Sequence, residues 1–181
     1  GSGNDVYLVD DAGDVLVETS TVVTEIDTVQ SAITFALNST GRENLENLTL
    51  LGTANLNATG NAKANVLTGN TGNNLLSGLD GNDTLLGGDG AGSGNDVYLV
   101  DDAGDVLVET STVVTEIDTV QSTITFALNS TGRENLENLT LLGTSNLNVT
   151  GNAKANVLTG NSGNNSLSGL DGNDSLSGGS G

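Results

Sequence analysis

The sequence predicts an all-β fold: a right-handed parallel β-solenoid in which very short strands alternate with Gly- and Asp-rich turns. Three observations carry the prediction. Residues 1–90 and 92–181 align without a gap and differ at only eight positions, so the chain is one unit written twice. Inside the unit, Gly60, Gly69, Gly78 and Gly87 recur nine residues apart. The apolar residues are Val, Leu, Ile and Ala, with Tyr7, Phe35, Tyr98 and Phe126 the only aromatics, a set suited to thin pleated layers rather than to a globular core. A repeat at fixed spacing marks one supersecondary unit that buries its apolar side by stacking on its neighbours.

The nine-residue frames justify the elements in order. Gly60–Thr68 reads GNAKANVLT, Gly69–Ser77 GNTGNNLLS and Gly78–Leu86 GLDGNDTLL; after a short interval AGSGNDVYL (91–99) and VDDAGDVLV (100–108) follow. Glycine recurs at the first and fourth positions, where a tight turn is expected to need left-handed backbone angles. Asp or Asn fills the sixth position, as Asn65, Asn74, Asp83, Asp96 and Asp105, and a large apolar residue the eighth, as Leu67, Leu76, Leu85, Tyr98 and Leu107. Each frame is therefore a six-residue turn followed by a three-residue strand whose middle side chain points inward. The seventh and ninth positions face outward, and there Leu75 and Leu86 become Ser166 and Ser177 in the second unit, making the last coils more polar, as a capping repeat requires.

Residues 19–59 keep a weaker beat, with Asp27 and Val29 (and Asp118 and Val120) at sixth and eighth positions. Ile33–Leu37 and Leu48–Leu50 alternate like strands and read as further coils with longer turns. Gly41–Asn44 reads as a protruding loop whose Arg42 and Glu43 form a solvated surface pair. The frame runs on through residues 87–94, so units 1–91 and 92–181 are expected to form one continuous array, a single structural domain, with no flexible linker between them.

The formal charge of −19 is offset by only four cations, Arg42, Lys63, Arg133 and Lys154. That balance repels nucleic acid and anionic membranes, where neutralising phosphates comes first, and it opposes compaction unless a cation binds. No apolar run is long enough for a membrane-spanning helix. The absence of Cys excludes thiol chemistry and a disulfide framework. Without His or Cys, and with no base beside its many Ser residues, the chain does not read as an enzyme. It opens on Gly1 and lacks Met, so it reads as a piece of a larger parent chain whose neighbouring repeats are its partners.

Gly78-Leu79-Asp80-Gly81-Asn82-Asp83-Thr84-Leu85-Leu86 resembles the G-G-x-G-x-D-x-U-x nonapeptide of the RTX (repeats-in-toxin) family, with Leu79 at the second glycine. The whole unit resembles the calcium-binding repeats of large bacterial RTX-type proteins, through Gly3–Glu18, Ile26–Leu37, Glu43–Gly52 and Gly60–Leu86. The resemblance implies a β-roll or β-helix, Ca²⁺ as the ion, a secreted or cell-surface bacterial location, and a chain that folds on calcium after type I secretion.

Calcium takes six to eight oxygens from carboxylates, carbonyls and water. The turn offers its own backbone and side-chain oxygens, with Gly78, Asp80, Gly81 and Asn82 as candidates, and the carboxylate of Asp83. In RTX-type rolls two nonamers make one coil, so turns n and n+2 share an ion. Carried onto this chain, that rule pairs Asn65 with Asp83, Asn74 with Asp96, Asp83 with Asp105, Asp96 with Asp118, and Asp5 with Asp27. Since ligand charge tunes affinity, Asp83/Asp105, Asp96/Asp118 and Asp5/Asp27 are expected to be the tightest pairs. Asp14, the equivalent of Asp105, is a further candidate, as are Asn156, Asn165 and Asp174 in the second unit; Asp174 has no later turn to pair with. For the Asn turns a second reading stands beside the first: the side chain merely closes its turn through local backbone bonds. Lys63 is placed to stand in for an ion electrostatically.

The functional reading is thus a calcium-binding structural module, with a carbohydrate- or partner-binding accessory module on the solenoid face as the alternative. The near-absence of aromatic stacking platforms weighs against that alternative.

Overall fold

The computed structural model describes residues 1–88 and 94–181. The middle of the junction between the two units, with the expected boundary at residue 91, lies outside the described residues. Among those described there is no helix, and the secondary structure consists of short strands: β1 (Val6–Val9), β2 (Thr28–Ser31), β3 (Phe35–Ala36), β4 (Asn47–Leu50), β5 (Asn57–Thr59), β6 (Val66–Thr68), β7 (Leu75–Ser77), β8 (Thr84–Leu86), β9 (Val97–Val100), β10 (Val106–Val108), β11 (Thr119–Ser122), β12 (Phe126–Ala127), β13 (Asn138–Leu141), β14 (Asn148–Thr150), β15 (Val157–Thr159), β16 (Ser166–Ser168) and β17 (Ser175–Ser177). All pairings are parallel and, apart from β1 with β2, link alternate strands, giving the orders β1-β2-β4-β6-β8-β10, β3-β5-β7-β9-β11-β13-β15-β17 and β12-β14-β16. The result is a parallel β-solenoid of about 9 turns.

The register follows from the frame. Leu67 pairs with Leu85 and Leu85 with Leu107 on one side, and Leu76 with Tyr98 and Tyr98 with Val120 on the other. These eighth-position side chains are fully buried, as are Leu48, Leu139 and Leu158. With three-residue strands, one inward side chain per strand is all the core each layer receives, so stability depends on the stack.

The unit spans an odd number of half-coils, so equivalent strands fall on opposite sides: β1 lies in the first sheet, whereas its copy β9 lies in the second, and β8 and β17 are divided in the same way. Pairs β7–β9 and β8–β10 join residues of the first unit to residues of the second.

Residues 15–17 form no strand, whereas their copy β10 rests on β8, and Val15 is 84 % exposed. Two expectations are corrected. Residues 41–44 form a turn that does not protrude: Gly41, Arg42 and Asn44 are half-buried, the Gly41 carbonyl accepts the Glu18 N–H, and the turn leads into β4, which pairs with both β2 and β6. Arg42 is no solvated partner of Glu43 either: its guanidinium lies 4.1 Å over the Phe35 ring and donates to the Ala36 carbonyl, and Arg133 repeats this on Phe126. A desolvated guanidinium on an aromatic face is a packing element.

Candidate metal centre

The sixth position of each frame immediately precedes an inward-pointing strand, so stacking the strands stacks those side chains into two columns. The first holds Asp5, Asp27, Glu46, Asn65, Asp83 and Asp105, whose residues hand backbone bonds from layer to layer. The second holds Asn74, Asp96, Asp118, Glu137, Asn156 and Asp174. Within each column a carboxylate accepts the N–H of the preceding layer's residue. Asp27 accepts from Asp5 (2.8 Å), Asp83 from Asn65 (2.7 Å), Asp105 from Asp83 (3.1 Å), Asp96 from Asn74 (2.8 Å), Asp118 from Asp96 (2.7 Å) and Asp174 from Asn156 (2.9 Å). The paired residues n and n+2 therefore lie in adjacent layers.

Asn and Asp differ in what remains after these bonds. Asn65 accepts the Asn61 N–H at its Oδ1 and donates to the Glu46 carbonyl; Asn74 accepts from Asn70 and donates to the Leu56 carbonyl. Asn156 and Asn165 repeat the pattern. Their amides close turns and meet their needs within the protein. Asp83 and Asp96 use only Oδ1. The Oδ2 of each is buried with no hydrogen-bond partner. Burial without compensation pushes Asp83 up to about 7, with Asp105, Asp101 and Asp102 adding repulsion, and Asp96 to about 8, with Asp118 and Glu109 adding theirs. Asp118 is pushed to about 7, and Asp27 and Asp105 rise as well, all chiefly by burial. A buried oxygen lacking a donor is costly unless a counter-charge meets it.

The glycine columns are corrected in their reason. The first-position glycines Gly60, Gly69 and Gly78 do not take left-handed angles. They are glycine because a side chain there would collide with the sixth-position oxygen of the same turn: Asn65 Oδ1, Asn74 Oδ1 and Asp83 Oδ2 respectively. The left-handed residues of the Asp turn are the fourth, Gly81 (φ 127°), and the second, Leu79 (φ 67°). The turn's second position thus holds a leucine in the conformation that glycine adopts most easily, as it does at Leu170.

The remaining candidates are less engaged. Asp14, at the first layer, closes its own turn by accepting from Asp10 and Asp11, whereas its copy Asp105 also receives Asp83 from the layer before. Asp80 and Asn82 are exposed, with Asn82 lying against Gly104 of the next layer. Asp174 is half-buried in the terminal layers.

Two pairs of carboxylates escape a reading of the sequence alone. Glu46 and Glu137 occupy sixth positions, receive the Asp27 and Asp118 N–H groups, and carry the ion pairs Lys63–Glu46 and Lys154–Glu137, both 2.8 Å. The frame over residues 41–49 contained this signal. Glu18 and Glu109 follow a ninth position, where the next frame would open on glycine. Each accepts a tyrosine hydroxyl, from Tyr7 and Tyr98, at 2.7 Å. They complete two clusters, Asp5/Glu18/Asp27 and Asp96/Glu109/Asp118, in which one oxygen from each residue lies within 4.8 Å of the others.

Stacked carboxylates, two of them with a buried free oxygen set against a glycine-lined turn, suit a hard divalent cation with oxygen ligands; the fold and these columns define a cation-binding parallel β-solenoid. The family model described as RTX calcium-binding nonapeptide repeat (4 copies) matches residues 59–93 and 150–181. Both stretches are RTX calcium-binding nonapeptide repeats, and the ion that such repeats bind is calcium. No curated protein and no solved structure matches the chain.

Proposed function

We propose that this calcium-binding structural repeat is a folding switch of an extracellular bacterial protein, unfolded until calcium reaches it after secretion. The carrying observation is the buried, unpartnered Oδ2 of Asp83 against Gly78, one layer from the Asp105 carboxylate. Asp83 and Asp105 would hold the ion together, with Asp96/Asp118 and Asp5/Asp27 as further pairs. The protein groups hold like charges in adjacent layers, roughly 5 Å apart, and the ion neutralises them. Without the ion, that repulsion adds to the chain entropy that one inward side chain per strand must offset. Calcium therefore stabilises the folded state by mass action, in the ~10⁻⁴–10⁻³ M affinity range of extracellular modules. The nonapeptide family supports secretion, since its repeats occur in secreted bacterial proteins.

The test is circular dichroism of the full chain in excess chelator and in millimolar calcium. Strand signal is expected only with calcium, with magnesium a poor substitute because it gives up water reluctantly. Equal strand content in both conditions would refute the switch.

A further inference from the structure

Glu109 breaks the glycine rule at the place where it matters most. The backbone bonds Gly69 N–H to Leu86, Gly87 N–H to Val108 and Glu109 N–H to Gly132 put Gly69, Gly87 and Glu109 at one register position in successive layers. Glu109 thus stands where neighbouring layers have glycine. Its carboxylate reaches back one layer: a methyl group built on Gly87 would lie 2.6 Å from Glu109 Oε2, 2.6 Å from Asp96 Oδ2, and in collision with the Tyr98 hydroxyl. The missing side chain of Gly87 therefore leaves a cradle faced by three oxygens. Asp96, Glu109 and Asp118 are 1 %, 3 % and 2 % exposed. The Tyr98 hydroxyl and the Ser111 N–H hold the two oxygens of Glu109. Asp118 Oδ1 is held by the Asp96 N–H, and Asp96 Oδ2 is buried with no partner.

We propose that Asp96, Glu109 and Asp118 form a divalent-cation site at the seam of the two units, outside the matched nonapeptide stretches, with Glu109 its third carboxylate ligand. Asp96 Oδ2 faces the ion, and Tyr98 positions Glu109. Three carboxylates exceed the charge of one calcium, so this site binds more tightly than an Asp/Asp pair. Among the described residues no Lys or Arg pairs with any of the three. The same cluster in the first unit carries a cation on its glutamate: the Gly1 ammonium lies 2.8 and 3.0 Å from the two oxygens of Glu18. The inference rests on the proposed function for the identity of the ion, and on the geometry for its place.

The chain has two tyrosines and no tryptophan, so tyrosine-sensitised terbium emission reports on ions close to Tyr7 or Tyr98. In the full-length Tyr7→Phe variant, terbium should give emission that calcium displaces, and adding Tyr98→Phe should abolish it. Glu109→Gln should weaken terbium at this site by roughly tenfold or more. Circular dichroism in saturating calcium checks that Glu109→Gln is folded; if it is not, the two tyrosine variants decide. Calcium binding by calorimetry without sensitised emission in Tyr7→Phe would overturn the seam site and leave the proposed function standing. Unchanged emission and affinity in folded Glu109→Gln would also overturn it. Calcium binding nowhere on the chain would overturn both.

Discussion

Replacing Asp83 by Asn separates its two roles, because the substitution keeps the shape and removes the charge. The amide oxygen of the Asp83→Asn variant can still accept the Asn65 N–H, as Asp83 does at 2.7 Å. In chelator the native carboxylate is a liability: it is 1 % exposed and its pKa is pushed from 3.8 to about 7. A displacement of that size corresponds to about 4 kcal/mol at neutral pH. Part of the gain is lost because the new amide hydrogens face Gly78 where Oδ2 had no donor, so we expect about 2 kcal/mol of added stability without calcium. With calcium the sign reverses. The variant lacks a ligand, and its calcium midpoint should rise roughly tenfold or more. Asp174→Asn, in the half-buried terminal layers, should move the midpoint far less. The assay is folding driven by a stabilising osmolyte in chelator, followed by calcium titration, each read by circular dichroism. Destabilisation of Asp83→Asn in both conditions would mean that Asp83 is only a structural hydrogen-bond acceptor. Equal midpoints for the two variants would mean that stacking of adjacent layers does not set affinity.

Two further outcomes are expected. In chelator, the carboxyls of Asp83, Asp96 and Asp118 have folded-state values near 7–8, above the ordinary aspartate value; the stability they allow is present below about pH 4 and lost as pH rises through 7–8. Strand content without calcium should therefore fall between pH 5 and 8, and a flat profile there would contradict the burial argument. Leu170→Gly relieves a left-handed leucine (φ 67°) that is 54 % exposed, and should raise the stability of the calcium-loaded chain by about 1 kcal/mol; a loss of that size in thermal unfolding would show that Leu170 packing outweighs its backbone strain.

Most of the fold was legible because one rule acts at every layer. An inward eighth position and a polar sixth position recur often enough to set the register, and Leu67, Leu76, Leu85, Tyr98 and Leu107 are all fully buried. What escaped was the part where a residue breaks the pattern but keeps the place. Glu46 sits at a sixth position inside a segment too polar to read as strand, and Glu109 at a first position where the pattern asks for glycine. Neither departure is visible until a layer is stacked on its neighbour, because what they meet, the Asp27 N–H and the Asp96 carboxylate, lies 19 and 13 positions away in sequence. The reason for the first-position glycines was hidden for the same cause. Their backbone angles are ordinary, and the constraint is space for Asp83 Oδ2 and its equivalents.

The stacked columns also explain which carboxylates need an ion. Reading down the first, Asp5 and Asp27 are followed by Glu46, which Lys63 neutralises, then by Asn65, which is uncharged, then by Asp83 and Asp105. Down the second, Asn74 precedes Asp96 and Asp118, and Glu137 with its Lys154 comes next. In both, a lysine-paired glutamate and a self-satisfied asparagine act as neutral spacers, so unneutralised charges follow one another within a column only in runs of two aspartates, Glu18 and Glu109 adding to two of these runs from outside the columns. Because the unit spans an odd number of half-coils, duplication places Asp96/Asp118 in the opposite column from Asp5/Asp27. The charge of the two copies is thereby divided between two edges rather than stacked along one. On the proposed reading, a chain built this way carries a formal charge of −19 yet needs cations at only a few defined layers, so its folding should respond to calcium rather than to ionic strength alone.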